Sequence, residues 1–131
     1  MKQEIAQIAL VVRNYDEAIA FYTQKLKFQL IEDTELTPTK RWVVIAPPGS
    51  SGCRLLLAQA SNDAQLQSIG NQSGGRVFLF LHTDDIQRDV ENLHQQQVSI
   101  ISGPTQQPYG KVLVFEDLYG NKWDLIEPTK T

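Results

Sequence analysis

Residues 5–22, IAQIALVVRNYDEAIAFY, and residues 76–93, RVFLFLHTDDIQRDVENL, share one pattern at a separation of 71 positions. Each opens on a strand-like run, Ile5–Val12 and Arg76–Thr83, long enough for a β-strand and too short for an independent helix. Each then sets a side-chain acceptor, Asn14 or Asp85, in front of a stretch with helical spacing. Glu17 stands three residues after Asn14, where a capping box puts its second member. Ile19, Tyr22 and Leu26 give the first helix an apolar face, and Ile86, Val90 and Leu93 give the second its own. The shift lays Asn14 on Asp85, Ile19 on Val90 and Tyr22 on Leu93, as an internal duplication does.

Outward from these two stretches, each helix is followed by three strand signals. In the first half they are Gln29–Asp33, Arg41–Ala46 and Cys53–Ala58, with Pro47-Pro48-Gly49 turning the chain between the last two. In the second they are Val98–Ile101, Val112–Phe115 and Lys122–Ile126, with Leu118-Tyr119-Gly120-Asn121 as a hairpin turn. Ser61–Gly75 is polar and Gly/Asn/Ser-rich, with one or two helical turns over Asp63–Ile69 ended by Gly70. The reading is a single α+β domain over residues 1–131: a βαβββ repeat at about 5–60, a linker at about 61–75 and a second βαβββ repeat at about 76–128. One helix covers one face of a four-stranded sheet, so the uncovered faces of two copies are expected to form a curled mixed sheet around a shared cavity.

Composition bounds the function. A chain of 131 residues buries a real core without disulfides. The net charge of -3, with no block of like charges, argues against a nucleic-acid partner, because phosphate binding needs a Lys/Arg-rich face. It argues equally against an anionic membrane surface. No apolar run approaches the roughly 18 residues of a membrane span. Met1-Lys2-Gln3-Glu4 leads into a strand with no signal-peptide stretch, so a cytoplasmic location is expected. Cys53, the one cysteine, reads either as a small residue at a strand start or as a reactive thiol.

The stretch Phe115-Glu116-Asp117-Leu118-Tyr119-Gly120-Asn121-Lys122-Trp123-Asp124-Leu125-Ile126-Glu127-Pro128, together with Ala20-Phe21-Tyr22 on the first helix, resembles the vicinal oxygen chelate superfamily, the glyoxalase/bleomycin resistance protein/dioxygenase family. That family's closing hairpin usually reads Asp-Pro-x-Gly-Asn followed by an alternating strand ending in Glu-Pro. The resemblance covers nearly the whole chain. It implies the family's fold, a cavity facing four metal-ligating positions on the first and last strands of each repeat, and commonly a homodimer. Carried onto this sequence, those positions are Gln7, Leu56, Phe78 and Asp124. Gln7 offers a carbonyl oxygen and Asp124 a carboxylate, while Leu56 and Phe78 offer nothing. Catalytic metal sites usually take at least three protein donors, so no metal cofactor is expected.

Strand alternation sets Gln7, Ala9 and Val11 on one face and Phe78, Phe80 and His82 on the matching face of the second repeat, with Asp124 and Ile126 joining them. Apolar walls with a few polar points are the profile of a small-molecule pocket. His82 reads either as a hydrogen-bonded rim residue beside Thr83 and Asp84 or as a functional group titrating near neutrality. Asp124 reads either as a carboxylate paired with Gln7 or another donor, or as a ligand contact. Trp42 and Tyr109 read as core or as pocket wall, and His94 as surface. The candidate ligand-binding set is Gln7, Trp42, Leu56, Phe78, Phe80, His82, Tyr109 and Asp124, with Asp124 and His82 the catalytic candidates and Gln7 and Glu116 open to recruitment in a non-standard site. No serine sits in a strand–turn–helix elbow and no Gly-rich loop cradles phosphate. Two functions follow: a metal-free small-molecule-binding protein of the bleomycin-resistance kind, or a lyase, isomerase or dioxygenase with a non-standard or metal-free site.

Overall fold

The two matching stretches each fold as strand then helix. In a computed structural model describing residues 1–130, the chain divides into two units, Met1–Ile69 and Gly70–Thr131. The first runs β1 (Gln7–Val12), α1 (Tyr15–Ala20) continued by a π-helical turn (Phe21–Lys25), β2 (Gln29–Thr37), β3 (Lys40–Ala46), β4 (Arg54–Gln59) and α2 (Asp63–Ser68). The second runs β5 (Leu79–His82), α3 (Ile86–Gln95), β6 (Ile100–Gln107), β7 (Gly110–Glu116) and β8 (Lys122–Pro128). The sheets are ordered β1-β4-β3-β2 and β5-β8-β7-β6, and neither closes into a barrel. In each, the first and last strands pair in parallel and the others antiparallel. A parallel pair needs a crossover, and the helix and two intervening strands supply it. The expected α+β class and the double βαβββ order are therefore both present.

Strand alternation divides each sheet into two faces. In the first unit Leu10, Val12, Val43, Ile45, Leu55 and Leu57 are at most 5 % exposed and form the core with Ala18 and Tyr22 of the helix. Burying each of the larger side chains contributes about 1.5–3 kcal/mol. In the second unit Leu113, Phe115, Trp123 and Leu125 do the same with Ile86, Val90 and Leu93 of α3. Phe115 and Trp123 are a cross-strand pair with rings nearly parallel, centroids 6.0 Å apart.

Both predicted caps form. Asn14 Oδ1 accepts from the Glu17 amide at 2.9 Å, and Asp85 Oδ1 from the Arg88 amide at 3.1 Å. Both helices also begin against the last strand of their own sheet. The Tyr15 amide donates to Gln59 Oε1 at 3.4 Å, and the Ile86 amide to Glu127 Oε1 at 3.0 Å. Each unit is thus fastened where the helix starts, through a backbone N–H that no helical carbonyl can satisfy.

The apolar stripe of the first helix differs from the expected Ile19, Tyr22 and Leu26. Tyr15, Ala18, Phe21 and Tyr22 are buried, while Ile19 and Leu26 are only half-buried. The cause is the π-helical turn: the Leu26 amide reaches back five residues to the Phe21 carbonyl, which adds a residue to the turn and rotates the stripe. Arg41 holds this helix against the sheet. Its guanidinium takes Asp33 through two nitrogens and Asp16 through the third, and lies 5.1 Å from the Tyr15 ring centre. Hydrogen bonding to Arg41 holds the Asp33 carboxyl below its usual range.

Strand lengths also differ from expectation. β2 runs on to Thr37 and β6 to Gln107, and nearly every residue of both is exposed. An edge strand with one partner and no helix above it carries no apolar alternation to read. β1 begins at Gln7 rather than Ile5, and β5 spans only Leu79–His82, although the Phe78 amide already donates to the Lys122 carbonyl at 2.7 Å. The Ser61–Gly75 segment holds α2, capped by Asn62, and the boundary between the units.

The β7–β8 turn is built by Asp117. Its Oδ1 accepts from the amides of Tyr119 and Asn121, both at 2.9 Å, and its Oδ2 accepts from Asn121 Nδ2 at 2.8 Å. Asp117 and Asn121 are 5 % and 2 % exposed, and Gly120 supplies the positive φ of +92° that the reversal needs. Asp117→Ala leaves these donors buried and unsatisfied, and is expected to lower unfolding stability by about 2–4 kcal/mol, read from the urea midpoint. A loss below about 0.5 kcal/mol would show that the turn closes without the carboxylate.

Candidate ligand-binding site

In the second unit, the register of β5 on β8 sets the face turned away from α3. Phe80 pairs with Asp124, and Asp124 pairs on its other side with Val114 of β7. Alternation brings Phe78, His82, Val112 and Ile126 to that same face, while Trp123 and Leu125 go to the core. The face therefore holds four candidates together: Phe78, Phe80, His82 and Asp124. Phe80 is 66 % exposed, an unusual state for a phenylalanine within a strand.

Asp124 sits in the middle of this apolar row. It is half-buried, and its Oδ1 is inaccessible to solvent and receives no hydrogen bond. Its cross-strand neighbours, Phe80 and Val114, have no side-chain donor. Of the nearest polar positions on the face, Lys122 directs its ammonium to the Gly75 carbonyl at 3.4 Å, and His82, diagonal to Asp124, is exposed. Desolvation pushes the Asp124 carboxyl above its ordinary value. The pairing with a protein donor, one of the two sequence readings, leaves no hydrogen bond at Oδ1.

In the first unit Gln7, Leu56 and Trp42 share the face away from the helix. Ala9 pairs with Leu56 and Leu56 with Val44, which puts Gln7 diagonal to Leu56 and Trp42 two residues along from Val44. Trp42 is half-buried, and its position is fixed because Arg41, beside it, points the other way into the Asp16–Asp33 cluster. The matching pair in the second unit is Phe80 and Asp124, so the register makes Leu56 and Asp124 equivalent positions.

Tyr109 stands apart. It lies in the β6–β7 turn, 58 % exposed, with its carbonyl accepting from the Thr129 amide at 3.0 Å. Gly110 beside it has φ +149°, and a Cβ there would lie 2.3 Å from the Glu127 carbonyl oxygen. Gly110 pairs with Pro128, four residues along β8 from Asp124, about 13 Å at strand rise. His94 is exposed in the last turn of α3. Val112 and Val114, which line the Asp124 face, were absent from the sequence-derived set, although their alternation with Leu113 and Phe115 carried the signal. Among the described residues, no three or more His, Cys, Asp or Glu side chains gather where they could hold a metal ion.

This fold and its two one-sided sheets place the chain among known proteins. The model of the glyoxalase/bleomycin resistance protein/dioxygenase superfamily matches residues 4–125, and the chain belongs to that superfamily. An uncharacterized protein of Shewanella frigidimarina (strain NCIMB 400) is 59% identical over 128 residues, 97% of this chain and 95% of that one. Among solved structures, TnmS3, an antibiotic binding protein from Streptomyces sp. CB03234, is similar with a TM-score of 0.77 and 25% identity, covering 98% of both chains. A glyoxalase/bleomycin resistance protein from the same Streptomyces has a TM-score of 0.73 and 26% identity, covering 95% of this chain and all of that one.

The raised Asp124 carboxyl has a signed consequence. Between the ordinary value of 3.8 and the raised folded value, the folded chain keeps a proton that the unfolded chain has lost. Stability therefore falls as pH rises through that window and stays lower above it. Asp124→Asn removes this penalty. The variant is expected to melt at a higher temperature than the parent at pH 7, with the difference shrinking as pH is lowered toward 3.8. A pH-independent difference in Tm would contradict it.

Proposed function

We propose that this chain is a small-molecule-binding protein that works without a bound metal, taking an aromatic or amphipathic organic ligand on the face that carries Phe80 and Asp124. The observation that carries the reading is Phe80, an aromatic side chain two-thirds exposed beside a desolvated carboxylate and the apolar Phe78, Val112, Val114 and Ile126. Apolar wall with one convergent polar group is what orients a small organic molecule. The likeness to TnmS3, an antibiotic binding protein, supports the same reading.

The donor chemistry supports the metal-free part. Of the four positions equivalent to the family's ligands, Leu56 and Phe78 have no donor atom and Gln7 has only a neutral one. One carboxylate and one carboxamide fall short of the three donors a catalytic site usually needs. Gln7, Trp42 and Leu56 belong to the proposal as further ligand contacts, as does Tyr109 as a rim residue, and so does a cytoplasmic location. A homodimer is part of it as well, supported by the exposed edge strands β2 and β6 with Leu30, Ile31, Leu36 and Ile101 uncovered.

The enzymatic reading draws on one observation, that His82 and Asp124 share a face. It is the second reading, because no hydrogen bond joins His82 to the buried Asp124 oxygen and no further observation gives either of them a reacting role. No helix among the described residues is long and apolar enough to cross a membrane.

Calorimetric titration with Ni²⁺, Zn²⁺, Mn²⁺ and Fe²⁺ is expected to show no stoichiometric binding, and stoichiometric binding abolished by Asp124→Ala would overturn the metal-free reading. Naphthylmethanol, a neutral aromatic probe, is expected to bind, read by calorimetric titration. Phe80→Ala should weaken it about 3–10-fold, the worth of one aromatic contact. Failure of the probe to bind, or indifference to Phe80→Ala, would remove the aromatic-ligand reading. Analytical ultracentrifugation is expected to return a dimer mass, and a monomer at all concentrations would remove that part.

A further inference from the structure

We propose that the ligand's head group is a cationic amine, held between the Asp124 carboxylate and the face of Phe80, with a flat apolar body lying on Val112, Val114 and Ile126. The inference rests on the small-molecule reading above and names the chemistry that this face selects.

Three independent features converge on a positive charge. The first is the acceptor without a donor: Asp124 Oδ1 is sequestered from solvent and receives no hydrogen bond. That leaves the carboxylate under-solvated, and because the residue as a whole is only half-buried, a cation meeting its accessible side offsets the desolvation of the charge whereas a carbonyl or carboxylate adds to it. The second is its neighbour. Phe80 is the cross-strand partner of Asp124, and an aromatic face carries negative potential, as a carboxylate does. As cross-strand neighbours on one face, the two disfavour an anion and favour a cation, which can donate to the carboxylate while meeting the ring.

The third is the distribution of charge along the chain. Residues 1–69 hold seven Lys/Arg and seven Asp/Glu, while residues 70–131 hold five and eight, so the whole net charge of -3 belongs to the unit that carries Asp124. A cationic ligand approaching that unit is attracted at long range and an anionic one is repelled. The apolar walls then set the rest of the molecule. Val112, Val114 and Ile126 flank Asp124 on the same face, while Lys122, also on it, is turned to the Gly75 carbonyl and His82 lies diagonal to the carboxylate.

One ring system with three head groups separates the proposal from the reading beneath it: naphthylmethylamine, naphthylmethanol and naphthoic acid, titrated calorimetrically into the full chain at pH 7. The amine is expected to bind about tenfold or more tightly than the alcohol, the gain of a charge-assisted hydrogen bond with a cation–π contact, and the acid more weakly than either. Asp124→Asn should cost the amine about tenfold more than it costs the alcohol, so that the amine preference disappears, a selective change expected for a lost ion pair and not for a misfolded face, which would weaken both alike. Phe80→Leu, which keeps apolar area without the ring quadrupole, should narrow the gap between amine and alcohol. Equal binding of all three probes, or an amine preference that survives Asp124→Asn, overturns the cation proposal and leaves an aromatic-binding face. Tighter binding of the acid reverses the proposal outright. Binding of none of the three overturns both.

Discussion

One helix can cover one face of a four-stranded sheet: α1 with its π-helical turn does so in the first unit, where the short α2 also touches β1, and α3 does so in the second. Period-two alternation then sends every other residue of each strand to the covered face, where Leu10, Leu57 and Val43 in the first unit and Leu113, Leu125 and Trp123 in the second are almost wholly buried. The residues between them point to the opposite face, where Val44 and Ile126 are buried as well and Phe80 is not. Everything chemically distinctive about the chain lies among these leftovers: Phe80 exposed, Asp124 desolvated, Gln7, Leu56 and Trp42 on the equivalent side of the other sheet. The faces packed on α1 and α3 make the core, and the candidate ligand contacts lie on the opposite ones.

What keeps the two faces from exchanging is register, since a one-residue slip in β8 would send Asp124 into the core and Trp123 out of it. Two devices fix that register. Asp117 locks the turn that enters β8, and Glu127 near the other end of the strand accepts from the first amide of α3. The placement of one half-buried carboxylate in the open row thus rests on two other carboxylates that have no chemical part to play.

Much of the fold was legible because it repeats. The caps Asn14 and Asp85 and the stripe Ile86, Val90 and Leu93 are local signals with a fixed physical cause, and the structure bears them out. The stripe of the first helix was misread because a π-helical turn changes the angular step, and nothing in Phe21–Lys25 announces that by composition. The lengths of β2 and β6 were hidden because exposed edge strands bury neither face. The Asp117 turn was half legible: Gly120 marks a reversal, but the depth at which the carboxylate is buried follows from tertiary packing. At the site, alternation alone was enough to group Phe78, Phe80, His82 and Asp124. It could not tell that Asp124 lacks a donor, since that depends on where Lys122 and His82 point, nor that Tyr109 lies about four strand residues away.

The two helix-start contacts show what a duplicated sequence keeps. Gln59 and Glu127 occupy equivalent places and accept from equivalent amides, one as a carboxamide and one as a carboxylate. Leu56 and Asp124 are equivalent by the same register, as are Ala9 and Phe80, and they have no chemistry in common. Side chains that answer to the backbone have stayed interchangeable between the copies, whereas those facing outward have drifted apart. Each copy is thus a control for the other: a position where the two agree in role answers to the fold, and one where they disagree is free of it.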